Sequence, residues 1–69
     1  MKYKMKKDIE QISFHKKGNT NVTYLIGWDG ETVFYQKVDN LKWFSTIKTA
    51  RTKEEAIQIG EVYIERSDV

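Results

Sequence analysis

Apolar and polar positions alternate with a period of two through most of the chain, then switch to a helical period near the C-terminus. Ile12 and Phe14 alternate with Ser13 and His15, which predicts a first strand near residues 9–16. Lys17-Gly18-Asn19-Thr20 is turn chemistry, because Gly and Asn tolerate positive φ. Asn21 to Trp28 is rich in β-branched and aromatic residues and reads as a second strand. Asp29-Gly30 follows as a hairpin signal, and Glu31 to Val38 is the return strand. Asp39-Asn40 is a weaker turn. Leu41 to Lys48 is a fourth strand or an irregular segment pinned by Trp43.

A two-residue Asp29-Gly30 loop of type I′ sets Trp28 opposite Glu31, Ile26 opposite Val33 and Tyr24 opposite Tyr35. Val22, Tyr24, Ile26, Trp28, Val33 and Tyr35 then share one face, and Leu25, Phe34 and Val38 the other. A three-residue loop would reassign Val33, Phe34 and Tyr35. In either register both faces carry large apolar groups.

The last element is a helix. Thr52 with Glu55 three residues on matches a capping box, and the acidic first turn suits the helix dipole. At 100° per residue, Ala56, Ile57, Ile59, Gly60, Tyr63 and Ile64 fall in one arc of roughly 160°. Glu54, Glu55, Gln58, Glu61, Glu65 and Arg66 fill the opposite arc, with Val62 the one apolar intruder. Gly60 sits near the centre of the apolar stripe, where glycine costs about 1 kcal/mol against alanine. Close approach to a bulky neighbour would explain it, with Trp43 and Trp28 as candidates. The alternative ends the helix at Gly60 and makes residues 61–65 a strand. The expected fold is α+β, an antiparallel meander of three or four strands with one C-terminal helix packed on one face.

The 69 residues suffice for one domain, with residues 1–7 a candidate basic arm. A domain this small buries only about 60% of its unfolded surface and often needs a staple. There is no cysteine, so disulfides and thiolate metal sites are excluded. Two Trp, four Tyr and three Phe supply the packing instead; each can remove roughly 150–250 Å² from water. The missing cysteines suit a reducing cytoplasm, no secretory signal follows the basic start, and no apolar run approaches the ~20 residues of a membrane span.

Charge is unevenly placed. Residues 1–20 hold six Lys against Asp8 and Glu10; residues 37–53 hold four Lys and Arg51 against Asp39. Residues 54–69 hold Glu54, Glu55, Glu61, Glu65 and Asp68 against Arg66. One end of the molecule is expected to be basic and the other acidic.

No catalytic set emerges. His15, the one histidine, stands between Phe14 and Lys16 and reads as a solvated strand-end residue. The serines at 13, 45 and 67 lie in no nucleophile pattern, and Asp29, Glu31 and Asp39 form no metal-binding loop. The glycines at 18, 27, 30 and 60 have no phosphate-binding spacing. No enzyme activity, cofactor, metal, small-molecule substrate or membrane partner is expected.

Binding is better supported. One helix can shield one sheet face, so apolar groups on the other face are expected to meet a protein, either a different one or a second copy. Tyr24, Trp28, Phe34, Tyr35 and Trp43 are the candidates, with register deciding which are exposed. The competing function is nucleic-acid binding through Lys4, Lys6, Lys37, Lys42 and Trp43, where cations pair with phosphates and rings stack on bases.

Trp43-Phe44-Ser45-Thr46-Ile47-Lys48-Thr49-Ala50, followed by Thr52-Lys53-Glu54-Glu55-Ala56, resembles small phage and prophage proteins of low-GC Gram-positive bacteria. Those carry a hairpin, a Trp four before an apolar residue and seven before an Ala, then a T-K-E-E-A helix start. The resemblance implies an accessory protein acting on a host or phage component. Lys42 to Ile47 with Lys53 to Ala56 is also similar, more faintly, to the sheet-plus-helix DNA-binding domains of phage integrases and plant ethylene-response factors.

Overall fold

Four strands and a helix follow in chain order: β1 (Glu10–Lys17), β2 (Val22–Trp28), β3 (Thr32–Lys37), β4 (Phe44–Thr49) and α1 (Lys53–Arg66). The computed structural model describes residues 8–18, 20–40 and 42–66. The strands form one antiparallel sheet in the order β1-β2-β3-β4, a meander, and α1 packs on one of its faces. The proposed basic arm lies outside the described residues. No helix among them is long and apolar enough to cross a membrane.

The central hairpin pairs Trp28 with Val33, Ile26 with Tyr35 and Tyr24 with Lys37. This corrects the expected pairing by two residues. The turn is centred on Gly30-Glu31, not on Asp29-Gly30. Gly30 takes φ 95° at the first central position, as a type II′ turn requires. The Asp29 carboxylate selects this register: its Oδ1 accepts the amides of Glu31 at 2.9 Å and Thr32 at 2.8 Å. A shift of two keeps every side chain on its face. Tyr24, Ile26, Trp28, Val33 and Tyr35 therefore still share a face, and it is the one beneath α1.

Asn21 lies between β1 and β2 with φ 59°. Its amide donates to the Lys17 carbonyl at 2.9 Å. Asn tolerates this left-handed conformation, which explains why the second strand starts one residue later than expected. In β1 the register shifts between Gln11 and Ser13, and this bulge lets Ile12 pack on the core.

β4 is more irregular. It pairs Tyr35 with Phe44 and Phe34 with Ser45, then slips before Thr32 meets Thr49. The slip is held by hydroxyls. Thr46, fully buried, donates from Oγ1 to the Val33 carbonyl at 2.8 Å and accepts the Lys48 amide at 3.1 Å. Ser45 Oγ accepts the Ile47 amide at 3.0 Å, and Ile47 takes φ 59°. Trp43 precedes the strand and is not part of it.

α1 begins at a variant of the capping box, with the Glu bonded one residue before the cap. Thr52 Oγ1 accepts the Glu55 amide at 3.1 Å, and Glu55 Oε1 accepts the Arg51 amide at 2.9 Å. The helix then continues unbroken through Gly60 to Arg66, so residues 61–65 are helix and not strand. Its buried residues, Ala56, Gly60 and Ile64, meet a core of Tyr24, Ile26, Val33 and Ala50. Fully burying Ile26 and Ile64 contributes roughly 1.5–3 kcal/mol each. Gly60 does approach a bulky group, but that group is Ile26 and neither tryptophan. Ala50 fixes the entry of the helix: its amide donates to the Glu31 carbonyl at 2.8 Å, and its carbonyl accepts Trp28 Nε1 at 3.3 Å.

Candidate binding surface

The sheet pleat divides the expected contact residues between two faces. Tyr24 is 1% exposed under α1, so it cannot meet a partner. Trp28 and Tyr35 are half-buried on that same covered face. The Tyr35 ring lies 5.1 Å from Tyr63 of the helix and 5.8 Å from Phe44, centroid to centroid. Burial pushes the Tyr35 phenol above its usual pKa, with Tyr63 adding to the rise. Burial of Tyr24 corrects its assignment as a contact residue, while Trp28 and Tyr35 sit at the rim of the core.

Phe34 and Trp43 belong to the opposite face. Phe34 is only 8% exposed, so this ring too is spent inside the chain. Trp43 is half-buried and lies across Gly27, where a Cβ would come within 2.9 Å of the indole and 2.7 Å of Ile9 Cγ2. The sheet thus uses Trp43 and Ile9 to cover one end of the face that the helix leaves open.

The rest of that face is exposed along β1 and at Val38 and buried at Gln36. Pairing sets Phe14 beside Leu25 and Leu25 beside Gln36, one row across three strands. The next row is Lys16, Thr23 and Val38, with the Val38 amide donating to the Thr23 carbonyl at 3.1 Å. Phe14 is 65% exposed and Val38 53%, and Leu25 is half-buried between the rows. The Gln36 side chain is buried, and its Oε1 has no hydrogen-bond partner among the described residues. An unmet buried acceptor costs roughly 1–3 kcal/mol.

Sequence reasoning passed over Phe14 and Val38 as contact residues. Their signal was available: both fall in phase with Leu25 on the face opposite the helix, and β1 is an edge strand with a neighbour on one side only.

The cationic candidates do not converge. Lys4 and Lys6 lie outside the described residues. Lys37, opposite Tyr24, is half-buried on the helix side, whereas Lys42 is exposed in the segment before β4. The exposed lysine that does share the open face is Lys16. His15 is not a solvated strand-end group. Its Nε2 lies 2.5 Å from Glu65 Oε2, so β1 is tied to the end of α1. That bond holds the Glu65 carboxyl below its usual range, with help from the Gly18 amide and the Lys17 charge. Asp29 is occupied by the turn. Among the described residues, no group of three or more His, Asp or Glu side chains is placed to hold a metal.

No family model, curated protein or solved structure matches this chain.

Proposed function

We propose that this chain is a small non-catalytic binding protein that contacts another protein through the sheet face opposite α1. The supporting observation is Phe14, 65% exposed, in the same face as half-exposed Val38 and half-buried Leu25. Apolar groups gathered on one open face are the usual centre of a protein contact, and polar Lys16, Gln11 and Thr23 around them suit a rim. The resemblance of residues 43–56 to small phage proteins adds the context of a phage or mobile-element accessory protein. Its partner would be a host protein, a phage protein or a second copy of itself.

A photo-crosslinking residue at position 14, compared with one at exposed Glu54 on the helix, tests this in the native cell. A protein adduct at 14 and none at 54 is the expected result. Sedimentation of the purified chain separates self-association from a different partner. Nucleic acid is the competing partner: an oligonucleotide affinity with a steep salt slope, lost on Lys16→Glu, would replace the protein reading.

A further inference from the structure

The other side of the molecule carries a second, chemically different surface. An open groove of about 690 Å³ runs between α1 and β4, lined by Lys48, Gln58, Ile59, Val62, Tyr63 and Arg66. Its floor is apolar and includes Val62, 54% exposed, the residue that breaks the polar arc of the helix. A cation stands on each wall, Lys48 from the strand and Arg66 from the helix, and among the described residues no carboxylate lines it. Of the helix carboxylates, Glu54 stands one turn before Gln58 on the same ridge, at the far end from Arg66. Glu61 and Glu65 are one turn apart on the other flank, where Glu65 bonds His15 of β1. Glu55 is turned back onto the Arg51 amide.

We propose that this groove binds a short acidic segment of a protein partner, with a bulky apolar side chain on Ile59, Val62 and Tyr63 and carboxylates paired to Lys48 and Arg66. Charge complementarity carries the choice. On an acidic helix, this flank alone offers cations beside exposed apolar area, and Arg66 can pair a carboxylate bidentately. The groove is open along its solvent side, so a small ligand would keep much of its surface wet, whereas a peptide laid along it is covered by its own chain. Two cations over a floor of Ile59, Val62 and the one ring of Tyr63 suit a peptide better than nucleic acid, which wants a longer cationic track and several stacking rings.

The peptide is held by side chains and not as an added strand. β4 is an edge, but Ser45 Oγ already accepts the Ile47 amide and Thr46 Oγ1 the Lys48 amide. The left-handed turn at Ile47 further spoils the straight edge that strand addition needs.

Selection of a random nine-residue peptide library on the purified full chain is the test. The expected binders pair Asp or Glu with Leu, Phe or Trp. They shift the amide NMR signals of residues 58–66, and they weaken on the order of tenfold in Lys48→Glu/Arg66→Glu while Phe14→Ser leaves them unchanged. Binders without acidic enrichment, binders indifferent to the charge reversal, or no binders would overturn the proposal. So would two other occupants: 4-phenylbutyrate alone reproducing the shifts, or a dimer in sedimentation that shields residues 58–66. Because Phe14 is on the far face, either surface can fail without the other.

Discussion

Gly60 of α1 rests directly on Ile26 of β2. A Cβ at position 60 would lie 2.7 Å from Ile26 Cγ2 and 3.0 Å from both Cδ1 and Cγ1. Ile26 is fully buried, so its side chain has nowhere to retreat. Gly60→Ala gains up to about 1 kcal/mol of helix propensity. It loses about 1–3 kcal/mol to overpacking. Net destabilisation in urea is the expected outcome. Ile26→Ala combined with Gly60→Ala should cost less than the two single changes added, since the new methyl enters the space vacated. Strict additivity in that double-mutant cycle would refute the contact.

Gly27 is the matching close approach on the other face, with a different outcome. A Cβ there would meet Trp43 and Ile9, which cover the sheet from connecting segments and not from its interior. Trp43 can swing aside at moderate cost. Gly27→Ala is therefore expected to cost about 1 kcal/mol and to expose the indole. In a Trp28→Phe background, Trp43 fluorescence should move to longer wavelength. An unchanged spectrum with unchanged stability would mean that the indole does not lie on Gly27.

These two glycines mark the limit of what the chain reveals by pattern. Element types, the meander and the apolar stripe of the helix were legible, because period-2 and period-3.6 patterns depend on neighbours in sequence. The face of each central-strand residue was legible too, since the hairpin moved by two and kept its parity. The turn itself was not, because the Asp29 carboxylate outweighs the generic preference for Asp-Gly at the centre. The candidate surface was the least legible part. Which aromatics stay exposed depends on what crosses the open face, and Trp43 returning over Gly27 is a tertiary fact. Tyr24 and Phe34 are buried and Trp28 and Tyr35 half-buried, whereas Phe14 and Val38 are exposed. Val62 was visible as the odd residue of the polar helix arc, although its groove needs β4 beside it.

Thr52 starts α1 through its hydroxyl, which accepts the Glu55 amide. Thr52→Ala removes that acceptor and leaves the Glu55 bond to the Arg51 amide without its counterpart. A loss of about 1 kcal/mol is expected, a Tm lower by about 4–8 °C for a domain of this size. Thr52→Ser should retain most of it. If serine and alanine melt alike, the cap contributes nothing.

His15 and Glu65 give the fold an acid-sensitive tie. The His15 hydrogen bond holds the Glu65 carboxyl below its unfolded value, outweighing the opposing effect of burial. A carboxyl with a depressed folded pKa stabilises the fold fully above its unfolded pKa, and the contribution disappears as pH falls through the folded value. The bond joins β1 to the last turn of α1, so its loss should loosen that end first. Glu65→Gln is expected to lower stability near neutral pH and to flatten the part of the acid-unfolding curve below about pH 4.5, the ordinary glutamate value. His15→Gln should flatten the same region, since the depression originates in that contact. Amide exchange of residues 61–66, followed from pH 6 to pH 3, reads the event locally. Exchange that accelerates equally in wild type and both variants over this range would show that the pair does not hold the helix end to the sheet.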